Sequence, residues 1–526
     1  MRYISKNNLL FLLAVTLFLL HSGYLYNFSV DDAYISFRYA DNLAQGKGLV
    51  FNVGERQEGY SNFLWVILLG IFSWLGISPV ISSKIMSIFS GIGIFVLTLK
   101  LSQLFKKTDT SSNSIAFFLI ASNTSLVLWV ASGLETIFYT FLLLLATYLF
   151  LREYEGKGTY ISAFFFLLLA LTRPEGILFF IPPLLFRIYD ALSRRSDFNY
   201  RSFFIYGLIF FIPFGAYVIW KYLYFGAVLP NPFYAKFMAP LRLMYNPVTN
   251  KLRLGFHYLT QAFRHYNLII VIPFLSFLLG IENRERKKVL FIGCTIFLQL
   301  FFIMSVGGDW MPRFRFIVPI FPFIYLLFQE GVNIALKQVK ARLFSYFLLA
   351  TILVMCMANF SSSKYEHYKY LGEKEGASRR IRAFGEWLKQ SFPSHYTVAY
   401  EEAGIPMYYS GLRLLDVLGL LNRDIAKIWY SFPHDYGEVN KRVVDYVLEK
   451  KPELIVIVAK RYPKKIWDFY GGTDYTFHYS NNFQKNYELV RISDWVLPHE
   501  RELWPEGLSL FVYLRKDLKS LHKELM

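Results

Sequence analysis

Cysteine is nearly missing from this chain of 526 residues: Cys294 and Cys356 are the two, each inside an apolar run. They read as core side chains, not as a disulfide or a metal site. The nine histidines show no ligand spacing. No P-loop is present, and Gly46-Lys47-Gly48 reads as a turn rather than a nucleotide cradle. Internal repeats, low-complexity tracts and disordered linkers are lacking. The first apolar segment also lacks the small-residue pattern of a cleaved signal peptide. These gaps exclude a P-loop enzyme and argue against a disulfide-stapled domain, a Cys/His metal centre and a cleaved signal peptide. Acidic residues are scarce too, 38 against 56 Lys and Arg, giving a net charge of +18. In a soluble chain that surplus suggests nucleic acid. Here the cations gather in short loops between apolar runs, so they report membrane orientation, with attraction to anionic membrane lipids added. No nucleic-acid partner is expected.

What is abundant is apolar surface: 55% of residues are hydrophobic and 19% aromatic. Several runs reach the roughly twenty residues that a bilayer crossing requires. The chain therefore reads as a polytopic α-helical membrane protein. Leu9–Tyr26 is a retained first helix with a cytoplasmic N-terminus, followed by an outer loop, residues 27–62. Within it Tyr34–Leu43 is amphipathic. Phe63–Gly76 reads as a shallow or re-entrant piece on the outer face. Val80–Leu104, Ser114–Val130, Ile137–Leu151, Tyr160–Leu171, Gly176–Phe186, Phe203–Tyr222, Leu268–Leu279, Val289–Val306, Ile317–Phe328 and Leu343–Met357 are the further spans, about eleven crossings in all. Residues 1–360 form this membrane domain. Residues 361–526 read as a soluble α/β domain on the outer side, with a helix at Ser378–Gln390 and strands at Tyr396–Tyr400, Leu454–Ala459 and Leu508–Leu514.

The loops alternate in character. One set is charged and plain: Lys106-Lys107, Arg152–Lys157, Arg187–Arg201, Glu282–Lys288 and Lys337–Arg342. The other is rich in Gly, Pro, aromatics and isolated charges. It comprises the residue 27–62 loop, SGLET at Ser132–Thr136, TRPEG at Thr172–Gly176, Tyr224–Phe237 and GGDWMPRFR at Gly307–Arg315. All of the second set fall on one side, so they are expected to converge on one site.

Asp31 and Asp32 are the leading candidates. One carboxylate at the membrane surface can take a proton while its neighbour orients a hydroxyl or a cation; capping of the following helix is the plain alternative. Glu55 and Glu58, with Arg56, read as acceptor ligands or as a surface salt-bridge patch. Glu135 reads as a helix-terminus charge or as a site residue. Arg173 suits a phosphate or an ion pair with Glu175. Lys236, Arg313 and Arg315, with Asp309, supply positive charge where a phosphate leaves, or snorkel at the interface. Trp310, Tyr234, Phe233 and Trp65 are interface aromatics or sugar-stacking rings.

The stretch DDAYISFRYADNLAQGKGLVFNVGERQEGYSNFLW resembles the signature of a bacterial branch of the GT-C superfamily, polyprenyl-phosphate-sugar-dependent membrane glycosyltransferases. SGLET, TRPEG, LPNPFYAK and GGDWMPRFRF resemble motifs of that branch in the same order, and VAYEEAGIPMYYSGLRLLDVLGLL resembles its outer domain. The nearest likeness is to terminal arabinofuranosyltransferases. The resemblance implies an aspartate base at Asp31 or Asp32, of which Asp31 leads, and single displacement with inversion at the anomeric carbon. It implies a polyprenyl-phosphate sugar donor entering from the bilayer, with Arg173, Arg313, Arg315 and Lys236 on its phosphate. Glu55, Glu58, Glu135, Asp309, Trp310 and Tyr234 would line the acceptor side. The acceptor is expected to be an envelope glycan, lipopolysaccharide or glycolipid, and the location the bacterial inner membrane with site and outer domain periplasmic. A divalent cation (Mg, Mn or Ca) stays open. Glu401-Glu402-Ala403-Gly404 stands where an Asp before a Gly-Ala turn is expected. A transporter or lipid flippase, with ionisable residues at mid-membrane, and a non-catalytic envelope scaffold are the alternatives.

Overall fold

The computed structural model describes residues 6–105, 114–156, 160–193, 200–238, 247–311, 313–338, 342–366, 374–431, 435–460, 469, 471–495, 508–522 and 524. The loop at Lys106-Lys107, parts of Arg187–Arg201 and Lys337–Arg342, and the side chain of Lys236 lie outside that description.

Apolar helices make up the first part: α1 (Lys6–Tyr24), the short α2 (Asp31–Ala44) and α3 (Phe63–Trp74), then α4 (Pro79–Leu104), α5 (Ile115–Ser122), α6 (Thr124–Ala131), α7 (Thr136–Tyr154) and α8 (Ile161–Thr172). A 3-10 turn, Pro174–Phe180, leads into α9 (Ile181–Ser193). Then follow α10 (Tyr200–Phe225), α11 (Asn231–Met238), α12 (Pro247–His265), α13 (Val271–Ser276), α14 (Asn283–Val306), a 3-10 turn at Arg315–Ile320, α15 (Phe321–Gln338) and α16 (Arg342–Glu366). Among the described residues, five stretches are long and apolar enough to cross a bilayer: Pro79–Leu104, Thr136–Tyr154, Phe203–Phe225, Glu285–Val306 and Arg315–Gln338. A sixth arises if Lys251–His265 and Leu268–Gly280, bent by 82°, count as one. The other apolar helices are shorter; α3, at twelve residues, rises only about 18 Å.

Several spans differ from their sequence reading: Gly176–Phe186 divides between a 3-10 turn and α9, and Leu268–Leu279 divides into a 3-10 turn, α13 and a second 3-10 turn. Ser114–Val130, expected as one crossing, is broken at Asn123. Its side chain caps α6 through Leu126 N at 2.9 Å and donates to Tyr325 Oη at 2.8 Å. A polar residue that can cap a new helix competes with continuing the old one. Ile317–Phe328 begins as a 3-10 turn and ends only at Gln338. The α15 stretch is nearly enclosed by its neighbours, with Phe321, Phe323, Tyr325 and Phe328 fully buried. By contrast α10 exposes Phe211, Ile212, Ile219 and Leu223, the signature of a lipid-facing helix.

The helix α16 carries through position 360 before α17 (Lys374–Ser391) opens the C-terminal α/β part, the outer domain of the sequence reading. The order there is β1 (Thr397–Tyr400), α18 (Ile405–Ser410), β2 (Arg413–Asp416), α19 (Arg423–Ser431), α20 (Tyr436–Lys450), β3 (Leu454–Ala459), α21 (Gly472–His478), α22 (Asn481–Asn486), β4 (Tyr487–Trp495) and β5 (Leu508–Arg515). The sheet runs β2-β1-β3-β5-β4. Its first three strands are parallel, while β5 is antiparallel to both β3 and β4. The run LIVIVA of β3 is buried on both faces, as central parallel strands are. Both β2 and β4 escaped the sequence reading: RLLD is too short, and YELVRISDW is broken by charges and a bulge near Leu489.

Candidate active site

The helix α2 lies between the outer domain and the membrane helices, and its two faces contact different partners. Positions 31, 34, 38 and 41 share one face. Asp31 Oδ2 accepts from Gly404 N at 3.0 Å, and Oδ1 from Ile405 N at 2.7 Å. Tyr34 meets the Tyr408 ring edge-on and the Tyr409 ring at a tilt, and Asp41 accepts from the Tyr408 hydroxyl at 2.7 Å. Arg38 donates to Met407 O at 2.6 Å and Leu412 O at 2.7 Å. All these partners belong to α18 and its flanks. Capping of its own helix was the plain reading of the acidic pair; instead Asp31 sits in the first turn of α2 and serves α18. Burial, with the Asp32 charge adding to it, pushes Asp31 up to about 6, against the pull of the two amides.

Asp32 stands about 100° further round the helix, on the face that Ser36 occupies one turn later. Ser36 and Asn62 bond to each other at 3.1–3.2 Å, and Asn62 Nδ2 donates to Glu135 Oε2 at 2.7 Å. The SGLET turn closes over this end of α2. Val30 N donates to Ser132 O, and Gly133, at φ +85°, leaves room where a Cβ would strike the Phe37 ring at 2.9 Å.

Glu135 is buried and caps nothing; it takes the Arg173 guanidinium at 2.7 Å. Glu175, also buried, takes the same guanidinium at 2.5 Å. The structural ion pair foreseen for TRPEG is thus present and doubled, and the triad carries one net negative charge. Arg173 also faces the Phe316 ring at 5.3 Å, and Arg315 faces that same ring at 5.1 Å. Arg315 pairs with Asp309 at 2.7 Å and lies over Trp129. Gln299 and Tyr258 hold the Phe316 backbone at 2.6 and 3.2 Å. Arg313, in contact with His265, and Phe314 both have positive φ, +58° and +52°. Two adjacent non-glycine residues in the left-handed region store strain that collects at functional loops.

The network thus joins Asp32's face of α2 to Glu135, Arg173, Glu175, Arg315 and Asp309. It does not include the rest. Glu55 is half-exposed and pairs with Arg413 of the outer domain. Glu58, instead of a surface patch, is buried against Lys221 at 3.0 Å, and burial pushes it up to about 7. Tyr234 meets Tyr430 of α19 edge-on at 6.0 Å. Trp310 is 73% exposed. Lys236 belongs to α11.

Residues 367–511 match a family described as a domain of unknown function (DUF8728). No curated protein matches the sequence. Among solved structures, ArnT from Cupriavidus metallidurans bound to undecaprenyl phosphate is similar, with a TM-score of 0.56 at 10% identity over 96% of this chain and 97% of that one. The Archaeoglobus fulgidus oligosaccharyltransferase in its apo form follows with a TM-score of 0.55, 11% identity, 96% of this chain and 82% of that one. Both are GT-C glycosyltransferases. The fold is the GT-C fold.

The archaeal GT-C protein also has a structure with zinc and sulfate, similar at a TM-score of 0.51 and 14% identity over 85% and 67% of the chains. In this chain, among the described residues, no three His, Cys, Asp or Glu side chains gather as a metal-holding group. Asp31 accepts from two amides and also meets the Glu402 side chain. Four contributors escaped the sequence reading: Asn62, Glu175 as a second full partner of Arg173, Phe316, and Lys84. Buried in α4, Lys84 donates to Tyr26 O at 2.5 Å and Phe28 O at 3.3 Å and so fixes the chain that enters α2. A lysine inside an apolar run was the available signal for the last of these.

Proposed function

We propose that this chain is an inverting membrane glycosyltransferase that moves a sugar from a polyprenyl-phosphate donor to a hydroxyl of an envelope glycan or glycolipid, with Asp32 as general base. The observation that carries this reading is the division of labour on α2 within a GT-C fold. Asp31 is held by outer-domain amides, while Asp32 stands on the face leading through Ser36 and Asn62 to the arginine network. ArnT, whose structure holds undecaprenyl phosphate, supports the choice of a lipid-phosphate donor.

The steps follow from these positions. The acceptor oxygen attacks the anomeric carbon and gives its proton to the Asp32 carboxylate. The bond from that carbon to the phosphate oxygen breaks on the opposite face, and the electron pair leaves with the lipid phosphate. Arg315 and Arg313, on one strained loop, lie where that charge grows and stabilise it. Glu135 and Glu175 already compensate the charge of Arg173, so its part is to hold Glu135 in place. No step is routed through a metal. Glu135, Arg173 and Arg315 adjoin helix ends rather than helix middles, which favours transfer over transport.

Localisation at the bacterial inner membrane, with a periplasmic site, completes the reading. Mass spectrometry of envelope glycans and lipids, from cells with and without the gene, tests it. The expected result is loss of one sugar and build-up of its polyprenyl-phosphate carrier. Identical profiles would overturn the proposal.

A further inference from the structure

The outer domain meets α2 through α18, and the match is one of poles. The first amides of α18, Gly404 and Ile405, receive the Asp31 carboxylate. The carbonyl of Met407, in the middle of α18, and that of Leu412, past its C-terminal end, receive the Arg38 guanidinium. Asp31 and Arg38 are seven residues apart, about 10.5 Å along α2, and six-residue α18 is about 9 Å long. An acid at the positive end and a base at the negative end of the same helix is the favourable arrangement. The contact is also close: a Cβ on Gly404 would lie 2.1 Å from Asp31 O and 2.2 Å from Asp31 Oδ2.

The seam continues past α2. β2 is the edge strand of the sheet, and Asn52 covers that edge. Its Nδ2 donates to Leu414 O at 2.8 Å, and its Oδ1 accepts from Leu414 N at 3.0 Å. Further along, Gly59 leaves space for Leu421, and Arg423 donates to Phe225 O at 2.7 Å. The amides that the Asp31 carboxylate accepts from belong to α18 and the residue before it, not to α2. Its carboxylate therefore ties the start of α2 to the outer domain, one residue from Asp32.

We infer that the outer domain is a positioning device for the base: α18 grips α2 at Asp31 and Arg38 and thereby sets where Asp32 stands. This assigns a role to the stretch matching a domain of unknown function, and it rests on the reading of Asp32 as the base. Asp31, Arg38 and Gly404 are positioning residues, and the lipid donor is bound elsewhere, by the membrane part.

The test uses the full chain reconstituted in lipid, with a panel of polyprenyl-phosphate pentoses and hexoses as donors and bare polyprenyl phosphate as the binding probe. Gly404→Ala is expected to lower kcat about 100-fold, the usual effect of an ångström-scale misplacement. Donor KM should stay within about threefold and bare-lipid affinity should not change. Arg38→Lys, which keeps the charge but loses the fork, should fall between wild type and Arg38→Ala. Gly437→Ala, whose Cβ would meet only Asp435 Oδ1 at 3.5 Å, is the control with unchanged kcat. An unchanged kcat per folded molecule in Gly404→Ala would overturn the inference, as would a raised KM with kcat retained. Failure of the base assignment shows separately, as turnover retained by Asp32→Asn.

Discussion

Removing Arg173 and removing one of its two carboxylate partners should have very different consequences. In the folded chain Glu135 and Glu175 are both buried and reach the same guanidinium, at 2.7 and 2.5 Å. Arg173→Leu leaves two carboxylates facing each other without their cation. Breaking a buried pair by deleting one partner costs about 3–5 kcal/mol, and repulsion between the survivors puts this site at the upper end. Glu175→Gln keeps a hydrogen-bond acceptor for Arg173 and removes the surplus negative charge, leaving a neutral pair with Glu135; its effect should stay within about 1 kcal/mol. Thermal unfolding of both variants in lipid nanodiscs, side by side, reads the difference. The ordering is the result that matters, because a multi-helix membrane chain does not unfold in two states. Equal losses in the two variants would refute the doubled ion pair, and so would a Glu175→Gln variant less stable than Arg173→Leu.

Two further outcomes follow from the same geometry. Asn62→Ala cuts the link between Ser36 and Glu135; losing a buried bond to a charged group, about 1.5–3 kcal/mol, should lower kcat by tenfold or more in a steady-state transfer assay while donor KM changes little. Glu58 is raised by burial from its ordinary value to about 7, so folding favours its protonated form. Its contribution is fully present below pH 4.5 and is lost as pH rises through 7, on the order of 3 kcal/mol. Unfolding temperatures measured from pH 5 to 8 should fall more steeply in wild type than in Glu58→Gln, and parallel curves would contradict the burial of that carboxylate.

The membrane part was largely legible because polar residues stand out against apolar chain. Asp31-Asp32, SGLET, TRPEG and GGDWMPRFR are all interruptions of long hydrophobic runs, and the structure places these loops around α2 and Phe316. What could not be read was pairing at a distance. Nothing local to Asp31 announces that amides 373 and 374 residues away will take its carboxylate. Nothing in YEEAGIPMYYSG says that its short helix presents both poles to another. Asn62 looks like any residue before a helix; its role appears only when Ser36 and Glu135 arrive from two other elements. The break at Asn123 was hidden because the residues around it are apolar enough for a continuous span, and β2 because four residues carry too little alternation to register.

The most direct measurement is turnover of Asp32→Asn beside Asp31→Asn, in reconstituted full-length protein supplied with a labelled polyprenyl-phosphate sugar. A positioned general base is worth about 10²–10⁴-fold. The account predicts that Asp32→Asn loses at least that much in kcat while still binding the lipid donor, and that Asp31→Asn loses less. Turnover retained by Asp32→Asn, with Asp31→Asn inactive though folded, would contradict it.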